Sequence, residues 1–419
     1  MGWAQSVSVL PRAKAEVSTR GSWTVDPSPP KTLRVLVLNE RCHRHPSAGG
    51  VEVSLFARYS RLADQGISIE LLCAGFAGAA AHEVHRGVHI SRVGSGLSYY
   101  ARVPSEVRRR IRAGQVDVVV EELSKVPFLS PLYAEVPVVA VHYHFHGLTA
   151  FRQVRPWIAA GAVALESLIP LVYRRVPILT ISKSSKNDLI RRGLPEEHID
   201  VVHCGLDHEG LRPASIEGRR PLIVSLGRLE PYKRVDLLLR AMPHVLKQVP
   251  SARLVILGRG QDEARLRRLT VELGLAESVT FAGFVTDAER EAWLQSAALH
   301  VQCSSKEGWG LTVTEAYACG TPVVATDAPG LCDSVQDGVT GVLVRRASPE
   351  PLAAAIANVL SDENERCRLA RNALAWSANF RWEPFAEAMR RTLRVASQQV
   401  SEPAARDIPK EWKSAEVAA

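Results

Sequence analysis

Short apolar runs of strand length recur along the chain from Leu33 onward, and amphipathic stretches of helical length separate them. The first run, LRVLVLN at 33–39, is followed by a helical stretch at 51–66 that ends at a glycine. Runs that are apolar on both faces are typical of buried parallel strands. Further runs of this kind are ISIELLCA (67–74), VDVVVEE (116–122), PVVAVHYH (137–144) and PILTIS (177–182). The pattern predicts an α/β domain built on a parallel sheet.

The alternation stops at 199–220, where polar residues, glycine and proline dominate, and then begins again. The second series consists of LIVSLGRL (222–229), RLVILGRG (253–260), VTFAGFV (279–285), LHVQCS (299–304), PVVATD (322–327) and GVLVR (341–345). Two successive series predict two Rossmann-like, doubly wound domains that face each other across a cleft. We place the hinge between them at 199–220 and expect the ligand to bind in the cleft.

These patterns divide the chain into five parts, with the last strong amphipathic helix at FRWEPFAEAMRRTLRVAS (380–397). The predicted parts are a flexible lead-in (1–31), an N-terminal domain (32–205), a C-terminal domain (206–380), a terminal helix (381–398) and a flexible tail (399–419).

Composition supports a globular protein, because 46% of the 419 residues are hydrophobic and 23% are charged. The net charge of +8 suits an anionic ligand, a nucleic acid or an anionic membrane surface. The charge is spread over the chain, and we expect no nucleic-acid partner. Seven scattered cysteines without a CxxC pair predict reduced, buried thiols, and the first thirty residues lack a secretory apolar core, so we expect a cytoplasmic protein.

The longest apolar run extends over 157–173 and contains one acid, Glu166. It is short for a membrane span, so we predict a core helix. Its flanks are basic (Arg152, Arg155, Arg174 and Arg175), and VRRRIRAG at 107–114 is basic as well. Peripheral contact with an anionic membrane therefore stays open as an alternative.

Two turns that follow the first strand of each domain carry residues suited to phosphate. PSAGGVE (46–52) brings Gly49 and Gly50 to a helix start, where free N–H groups favour anions, although an ordinary tight turn explains it equally well. GRLEPYK (227–233) places Arg228 and Lys233 where two cations can bracket a diphosphate; two solvated basic residues are the alternative.

The stretch EGWGLTVTEA (307–316) places Glu307 at the carboxyl end of a strand and Glu315 about one turn into a helix. Both are expected at the sheet edge where α/β proteins bind ligands. Compensation of the helix dipole explains Glu315 alone but not Glu307 with its Gly-Trp-Gly turn.

The histidine run VHYHFHG (141–147) ends a strand at the same edge, with His142, His144 and His146 alternating along it. No acidic residue lies at metal-ligand spacing, so we predict no metal site here and expect one imidazole to reach the cleft.

Together these motifs resemble the retaining glycosyltransferases of the GT-B fold, of the glycosyltransferase family 4 type. The resemblance covers about residues 33–397, and the two glutamates with seven residues between them are its most specific feature. The motifs that carry it are PSAGGVEV (46–53), TISKSSKNDLIRRG (180–193), IDVVHCGLD (199–207), SLGRLEPYKRVDLLLRA (225–241), VILGRG (255–260) and the segment 304–344.

The resemblance implies roles for matching residues. Glu315 would bind the ribose, Glu307 would contact the transferred sugar, and His144 or His142 would lie near the sugar and the acceptor. Arg228 and Lys233 would hold the diphosphate, and Gly49 and Gly50 would supply N–H groups from the other domain. The backbone N–H groups of Gly310 and Leu311 would add phosphate or sugar contacts. The terminal helix would cross back to the N-terminal domain.

The implied activity is transfer of a hexose-type sugar from a UDP- or GDP-sugar, with retention and without a metal or other cofactor. The acceptor is left open among a glycan, a lipid-linked molecule and a small molecule. A nucleotide-sugar-binding protein without transferase activity and a GT-B enzyme of other chemistry, such as an epimerase, are the competing interpretations. The chain departs from the family pattern at two places. Cys42 and His43 affect which acceptor is expected, and Arg259 affects the expected contacts near the nucleotide base.

Overall fold

The structure is a computed structural model that describes residues 32–398 except Gln153. The predicted lead-in (1–31) and tail (399–419) lie outside the described residues. The described residues from Leu33 onward form one compact unit. Within this unit the described chain contains two sheets, each covered by helices.

The first sheet contains the predicted apolar runs as neighbouring strands, because residues apolar on both faces are buried only in the middle of such a layer. Its order is β3-β4-β2-β1-β5-β6-β7-β8, and every pair is parallel except β3–β4. The hairpin β3–β4 was not predicted. The strands are β1 (Arg34–Leu38), β2 (Ser68–Cys73), β3 (His82–His85), β4 (Val88–Arg92), β5 (Val118–Leu123), β6 (Val138–His142), β7 (Ile178–Thr180) and β8 (Ile199–Val201). The helices of this half are α1 (Gly50–Asp64), α2 (Leu97–Arg112), α3 (Pro156–Ser167), α4 (Ile169–Val172) and α5 (Lys183–Arg191).

The second sheet is parallel throughout, in the order β11-β10-β9-β12-β13-β14. The two sheets and their helices confirm the predicted fold class of two Rossmann-like domains. The strands are β9 (Leu222–Leu226), β10 (Arg253–Leu257), β11 (Val279–Gly283), β12 (Leu299–Gln302), β13 (Val323–Thr326) and β14 (Gly341–Val344). The helices are α6 (Val235–Gln248), α7 (Glu263–Glu272), α8 (Asp287–Ser296), α9 (Leu311–Ala318), α10 (Leu331–Ser334), α11 (Pro349–Ser361) and α12 (Glu363–Ser377).

The last described helix, α13 (Trp382–Gln398), packs against α1 of the first half. The ring of Phe385 lies 4.4 Å from the guanidinium carbon of Arg58, which is fully buried and pairs with Glu122 at 3.0 Å. Removing a buried charge from its partner is costly, so this contact ties α13 to the core of the first half.

The connection between the halves begins after β8, because residues 199–201 form the edge strand of the first sheet rather than part of the hinge. Gly205 lies at the return crossing: a Cβ there would sit 2.4 Å from the backbone nitrogen of Trp382. Leu206 N–H donates to the carbonyl of Phe380 at 3.2 Å. The outgoing and returning segments therefore touch each other where they pass between the domains.

The apolar run at 157–173 is not a core helix. It forms α3 and α4, and only one narrow face of them is buried. Trp157 is 65% exposed and Leu171 is 75% exposed. The prediction was wrong because an unbroken apolar run does not reveal whether more than one of its faces finds a partner.

All seven cysteines are free. Six are buried as predicted, whereas Cys332 is exposed.

Candidate active site

The strand order places two turns, the glycine turn at 46–52 and the charged turn at 227–233, at equivalent points of the two sheets. In the second sheet the order reverses direction between β9 and β12, and in the first sheet between β1 and β5. Side chains that follow such strands meet in the crevice outside their carboxyl ends. Arg228 and Lys233 follow β9, Glu307 follows β12, and Gly49 follows β1. Residues far apart in sequence are thereby brought to one cleft.

The central contact of the cleft joins Lys233 to Glu307, with 2.5 Å between Nζ and Oε1. The same carboxylate oxygen accepts from Gln302 Nε2 at 2.9 Å and from Ser304 Oγ at 2.5 Å. The backbone N–H of Glu307 donates to the carbonyl of Pro329. Glu307 is therefore fixed in place by three side-chain donors and by its own backbone.

The pKa of Lys233 is raised above its ordinary value. Burial alone disfavours the ammonium, but the carboxylate of Glu307 more than offsets that effect. Lys233 is therefore a fixed positive charge at neutral pH. A positive charge held at this depth can interact strongly with an anionic ligand.

Arg228 faces the other domain. A Cβ at Gly49 would lie 3.7 Å from Arg228 Nε, so the guanidinium stands directly across the cleft from the glycine turn. Gly50 lies against Leu311 in the same way, with 3.1 Å between its Cβ position and Leu311 Cδ1. A side chain at either glycine would occupy the space between the halves.

The backbone N–H of Gly49 is already in use, which corrects the expectation that it is free for phosphate. It donates to Oε2 of Glu52 at 2.7 Å, and Asn39 Nδ2 donates to the other oxygen of that carboxylate at 3.3 Å. A glutamate three residues after a helix cap commonly folds back in this way. Because Gly49 and Gly50 carry no side chain, the turn leaves space for a ligand beside Gly50, the first residue of α1.

Helix α9 opens at Gly310, whose φ of +91° is unfavourable for other residues. At a helix start the first N–H groups lack an acceptor within the helix, and that of Leu311 is one of them. Glu315 follows in the second turn, with its side chain 16% exposed and Arg290 Nη1 at 3.7 Å. Burial raises the pKa of Glu315, while Arg290 opposes the rise.

The structure separates the two candidate histidines by position. A Cβ on Gly308 would lie 3.4 Å from Nδ1 of His144, so His144 abuts the loop that carries Glu307. His142 is 1% exposed, lies against the ring of Phe145, and has no hydrogen-bond partner on either ring nitrogen. Burial is the main reason that the pKa of each lies below the ordinary histidine value, and that of His142 falls to about 3. Both are therefore neutral at pH 7.

Several residues that sequence reasoning missed act at this site. Gln302 and Ser304 orient Glu307, and Arg290 faces Glu315. Two contacts join the halves beside the cleft: Lys306 Nζ to Asp188 Oδ2 at 3.5 Å, and Ser184 N to Asp333 at 3.2 Å. Of the residues that orient Glu307, Ser304 lies nearest in sequence, three residues before it, so a local pattern could have indicated this contact.

Trp309 fills the junction behind the site. Its ring stacks on His203 at 4.4 Å and meets Phe380 edge-on at 5.3 Å. His203 belongs to the outgoing connection and Phe380 to the returning one, so the residue between the two glycines contacts both crossings. Its Nε1 is buried without a hydrogen-bond partner.

In the described part of the chain, no group of three histidine, cysteine or acidic residues is placed to hold a metal ion. None of the described helices is both long and apolar enough to cross a membrane.

Two family models match consecutive parts of the chain. The model for glycosyltransferase family 4 matches residues 48–209, and the model for glycosyl transferases group 1 matches residues 209–376. Their junction falls within the connection between the two halves.

Curated relatives include two proteins named D-inositol 3-phosphate glycosyltransferase. The one from Frankia alni is 34% identical over 218 residues, which are 48% of this chain and 54% of the relative. The one from Thermobispora bispora is 27% identical over 395 residues, which are 84% of this chain and 91% of the relative. The chain thus spans about half of the first relative and most of the second.

Solved structures of similar fold cover almost the whole described chain. Sucrose-phosphate synthase from Thermosynechococcus elongatus has a TM-score of 0.72 at 20% identity, over 88% of this chain and 99% of that one. Anabaena Alr3699/HepE, solved in complex with UDP and glucose, has a TM-score of 0.68 at 20% identity, over 87% of this chain and 100% of that one. At this identity the likeness establishes the fold.

Proposed function

We propose that the chain is a glycosyltransferase of the GT-B fold that moves a hexose-type sugar from a nucleotide diphosphate sugar to an acceptor hydroxyl with retention of anomeric configuration. The observation that supports this best is the ion pair of Lys233 with Glu307, flanked by Arg228 across from Gly49. Two cations beside a fixed carboxylate suit a ligand that joins a diphosphate to a sugar.

The donor is a UDP-sugar, with a GDP-sugar as the alternative. Breaking the anomeric bond leaves negative charge on the diphosphate and positive charge on the sugar. Arg228, Lys233 and the start of α9 stabilise the diphosphate, the kind of electrostatic role that is usually the largest part of catalysis. Glu315 accepts from the ribose hydroxyls and Glu307 from a sugar hydroxyl.

Retention follows if the acceptor attacks the face from which the diphosphate leaves. The proposed site then needs no second carboxylate as a nucleophile, unlike retaining glycosidases, in which two carboxyl groups flank the bond. His144 lies on the acceptor side of Gly308 and, being neutral, can accept a hydrogen bond from the attacking hydroxyl. The proton leaves with the departing phosphate oxygen, which is a weak base.

Arg228 and Lys233 take the role that a divalent cation has in metal-dependent transferases, so we propose that the reaction needs no metal. Activity of enzyme treated with EDTA should equal that of untreated enzyme. A requirement for added Mg²⁺ or Mn²⁺ would overturn this part and leave the remainder intact.

The acceptor class is proposed from the relatives, whose names specify D-inositol 3-phosphate. A polyol phosphate is therefore the first acceptor to test, with glycans and lipid-linked hydroxyl compounds next. We propose a cytoplasmic location, since nucleotide sugars are supplied there.

The test is a panel of UDP- and GDP-sugars incubated with the full chain, with and without acceptors, followed by NMR of the product. Release of the nucleoside diphosphate together with a product of unchanged anomeric configuration supports the proposal. An inverted product would remove retention alone. Tight nucleotide binding without sugar release would indicate a binding protein, and an altered sugar still attached to the nucleotide would indicate an epimerase.

A further inference from the structure

The outward surface of α3 and α4 is apolar along its whole length. Its largest side chains are Trp157 (65% exposed), Ile158 (42%), Leu168 (38%) and Leu171 (75%). With Phe151 and Val154 just before α3, residues 151–171 hold six of the fourteen exposed large hydrophobic residues of the described chain. Single exposed apolar residues are ordinary, but a contiguous set marks an interaction site.

The helical spacing shows that this surface is one stripe. Residues 157, 161, 164, 168 and 171 follow each other at three- and four-residue steps and are all exposed and apolar. The opposite face, with Ala159, Glu166 and Ile169, is buried. Over Pro156–Val172 the stripe is roughly 25 Å long at 1.5 Å per residue. This is a convex ridge and not a groove.

Charge on this segment is arranged in two ways. Glu166, its one acid, points inward and accepts from the backbone N–H groups of His146 (2.7 Å) and Gly147 (2.9 Å). The exposed charges are basic and lie at the ends: Arg155 before α3, and Arg174 and Arg175 after α4. Arg155 also lies over the ring of Trp157 at 5.3 Å.

A second copy of this chain fits the surface poorly. In a two-fold dimer the same patch meets itself, so the arginines would approach each other with no exposed acid on the patch to pair with. A convex apolar ridge that contains tryptophan and is bounded by cations suits the boundary between the headgroups and acyl chains of an anionic bilayer.

From this arrangement we infer that the α3–α4 surface docks the protein on an anionic lipid bilayer. On the inner side of α3, Glu166 accepts hydrogen bonds from the backbone of the loop that carries His144. Docking therefore brings the acceptor side of the cleft to the lipid surface. The inference rests on the proposed transferase function only in this last respect, where it favours the lipid-linked hydroxyl compounds over the polyol phosphate that the relatives' names suggest.

The experiment is flotation of the full chain with vesicles of phosphatidylglycerol and phosphatidylcholine, compared with vesicles of phosphatidylcholine alone, at low and high salt. Binding should require phosphatidylglycerol and weaken as salt rises, because the arginine contribution is screened. Quenching by lipids brominated on the acyl chains should report Trp157 at acyl depth, and the variant Trp157→Phe should lose that quenching.

Variants separate the apolar contribution to membrane binding from the electrostatic one. The pair Trp157→Ser and Leu171→Ser should weaken binding on the order of a hundred-fold even at low salt, since two large side chains leave the bilayer. Replacing Arg155, Arg174 and Arg175 with glutamine should weaken binding to phosphatidylglycerol by a similar factor. Leu132→Ser and Val271→Ser, at apolar positions 66% and 72% exposed elsewhere, serve as matched controls and should bind as the parent does.

Three results would overturn the inference. They are absence of flotation with either vesicle, flotation that the apolar variants leave unchanged, and a dimer in sedimentation that those variants convert to monomer. UDP binding measured in parallel keeps the outcomes separate: a variant that binds UDP but not vesicles has lost only the docking surface. Failure of the parent to bind either UDP or GDP would overturn the proposed function and not the docking.

Discussion

Lys233 and Glu307 form a 2.5 Å ion pair between residues whose proposed ligands are the two ends of one donor. The cation proposed to bind phosphate and the carboxylate proposed to bind the sugar thus neutralise each other in the structure. If Lys233 turned towards a phosphate, the hydrogen bonds from Gln302 and Ser304 would still hold Glu307. The pair therefore holds both groups near their working positions, which reduces the cost of ordering them on binding.

Glu307→Gln should separate sugar transfer from nucleotide binding. The amide cannot hold the sugar hydroxyl as a carboxylate does, so kcat for transfer should fall by about 100-fold or more. Lys233 no longer pairs with a carboxylate and is free to bind phosphate, so the Kd for UDP should stay within about threefold or become tighter.

Lys233→Ala should show the opposite pattern. One close charge pair is worth roughly 4 kcal/mol before desolvation at an effective dielectric near 20, so the Kd for UDP should weaken by at least about tenfold. Lys247→Ala, on the exposed side of α6, is the control and should change neither quantity. Calorimetric titration with UDP tests this, and equal weakening by the Glu307 and Lys233 variants would contradict separate roles.

Nucleotide affinity should depend on pH through Glu315. Only the ionised carboxylate accepts hydrogen bonds from both ribose hydroxyls, and burial raises the pKa of Glu315 above the ordinary carboxyl range. Affinity should therefore be greatest above that raised pKa and decline as the pH falls through it. Glu315→Gln should bind more weakly at pH 7 and lose this pH dependence; a retained decline would assign it to another group.

His144 and His142 should differ in what their loss affects. His144→Ala should lower kcat for transfer with little change in the free energy of unfolding, because the ring lies at the cleft edge beside Gly308. His142→Ala leaves a cavity at a fully buried position and should cost about 3 kcal/mol of stability. Urea unfolding and initial rates on the same preparations test this, and a large stability loss from His144→Ala would reverse the assignment.

The fold followed from sequence wherever apolar runs were continuous. The strands β1, β5 and β9 were predicted because a buried parallel strand needs apolar residues on both faces. The hairpin β3–β4 was missed because HEVH and VHISR are short and polar on one face. The burial of α3 was mispredicted because the same residues suit a protein core and an exposed docking surface.

The sequence indicated which residues belong to the proposed site, but not which of them contact each other. Lys233 and Glu307 are 74 positions apart and meet only because β12 pairs with β9, a neighbour that local patterning does not reveal. The bond between Gly49 and Glu52 was within reach of sequence reasoning, since the spacing is that of a capping box.

Trp309 should couple the hinge to catalysis. It contacts His203 of the outgoing crossing and Phe380 of the returning one, and it lies two residues after Glu307. Any change in the angle between the domains therefore acts on the turn that carries the carboxylate. Trp309→Phe should lower kcat for transfer about tenfold, and raise the share of donor lost to water, while the Kd for UDP changes little, because the phosphate contacts are elsewhere.

Trp376→Phe is the matched control, because Trp376 also meets the ring of Phe380, at 5.2 Å, but belongs to α12. Both substitutions replace an indole whose buried Nε1 has no partner with a smaller ring, and the cavity left behind should cost each variant a similar amount of stability, about one to two kcal/mol. Only Trp309→Phe should change the ratio of transfer to hydrolysis. If the two variants gave the same ratio, the effect of Trp309 would be one of core packing, and the position of Glu307 would be set by its own hydrogen bonds without a contribution from Trp309.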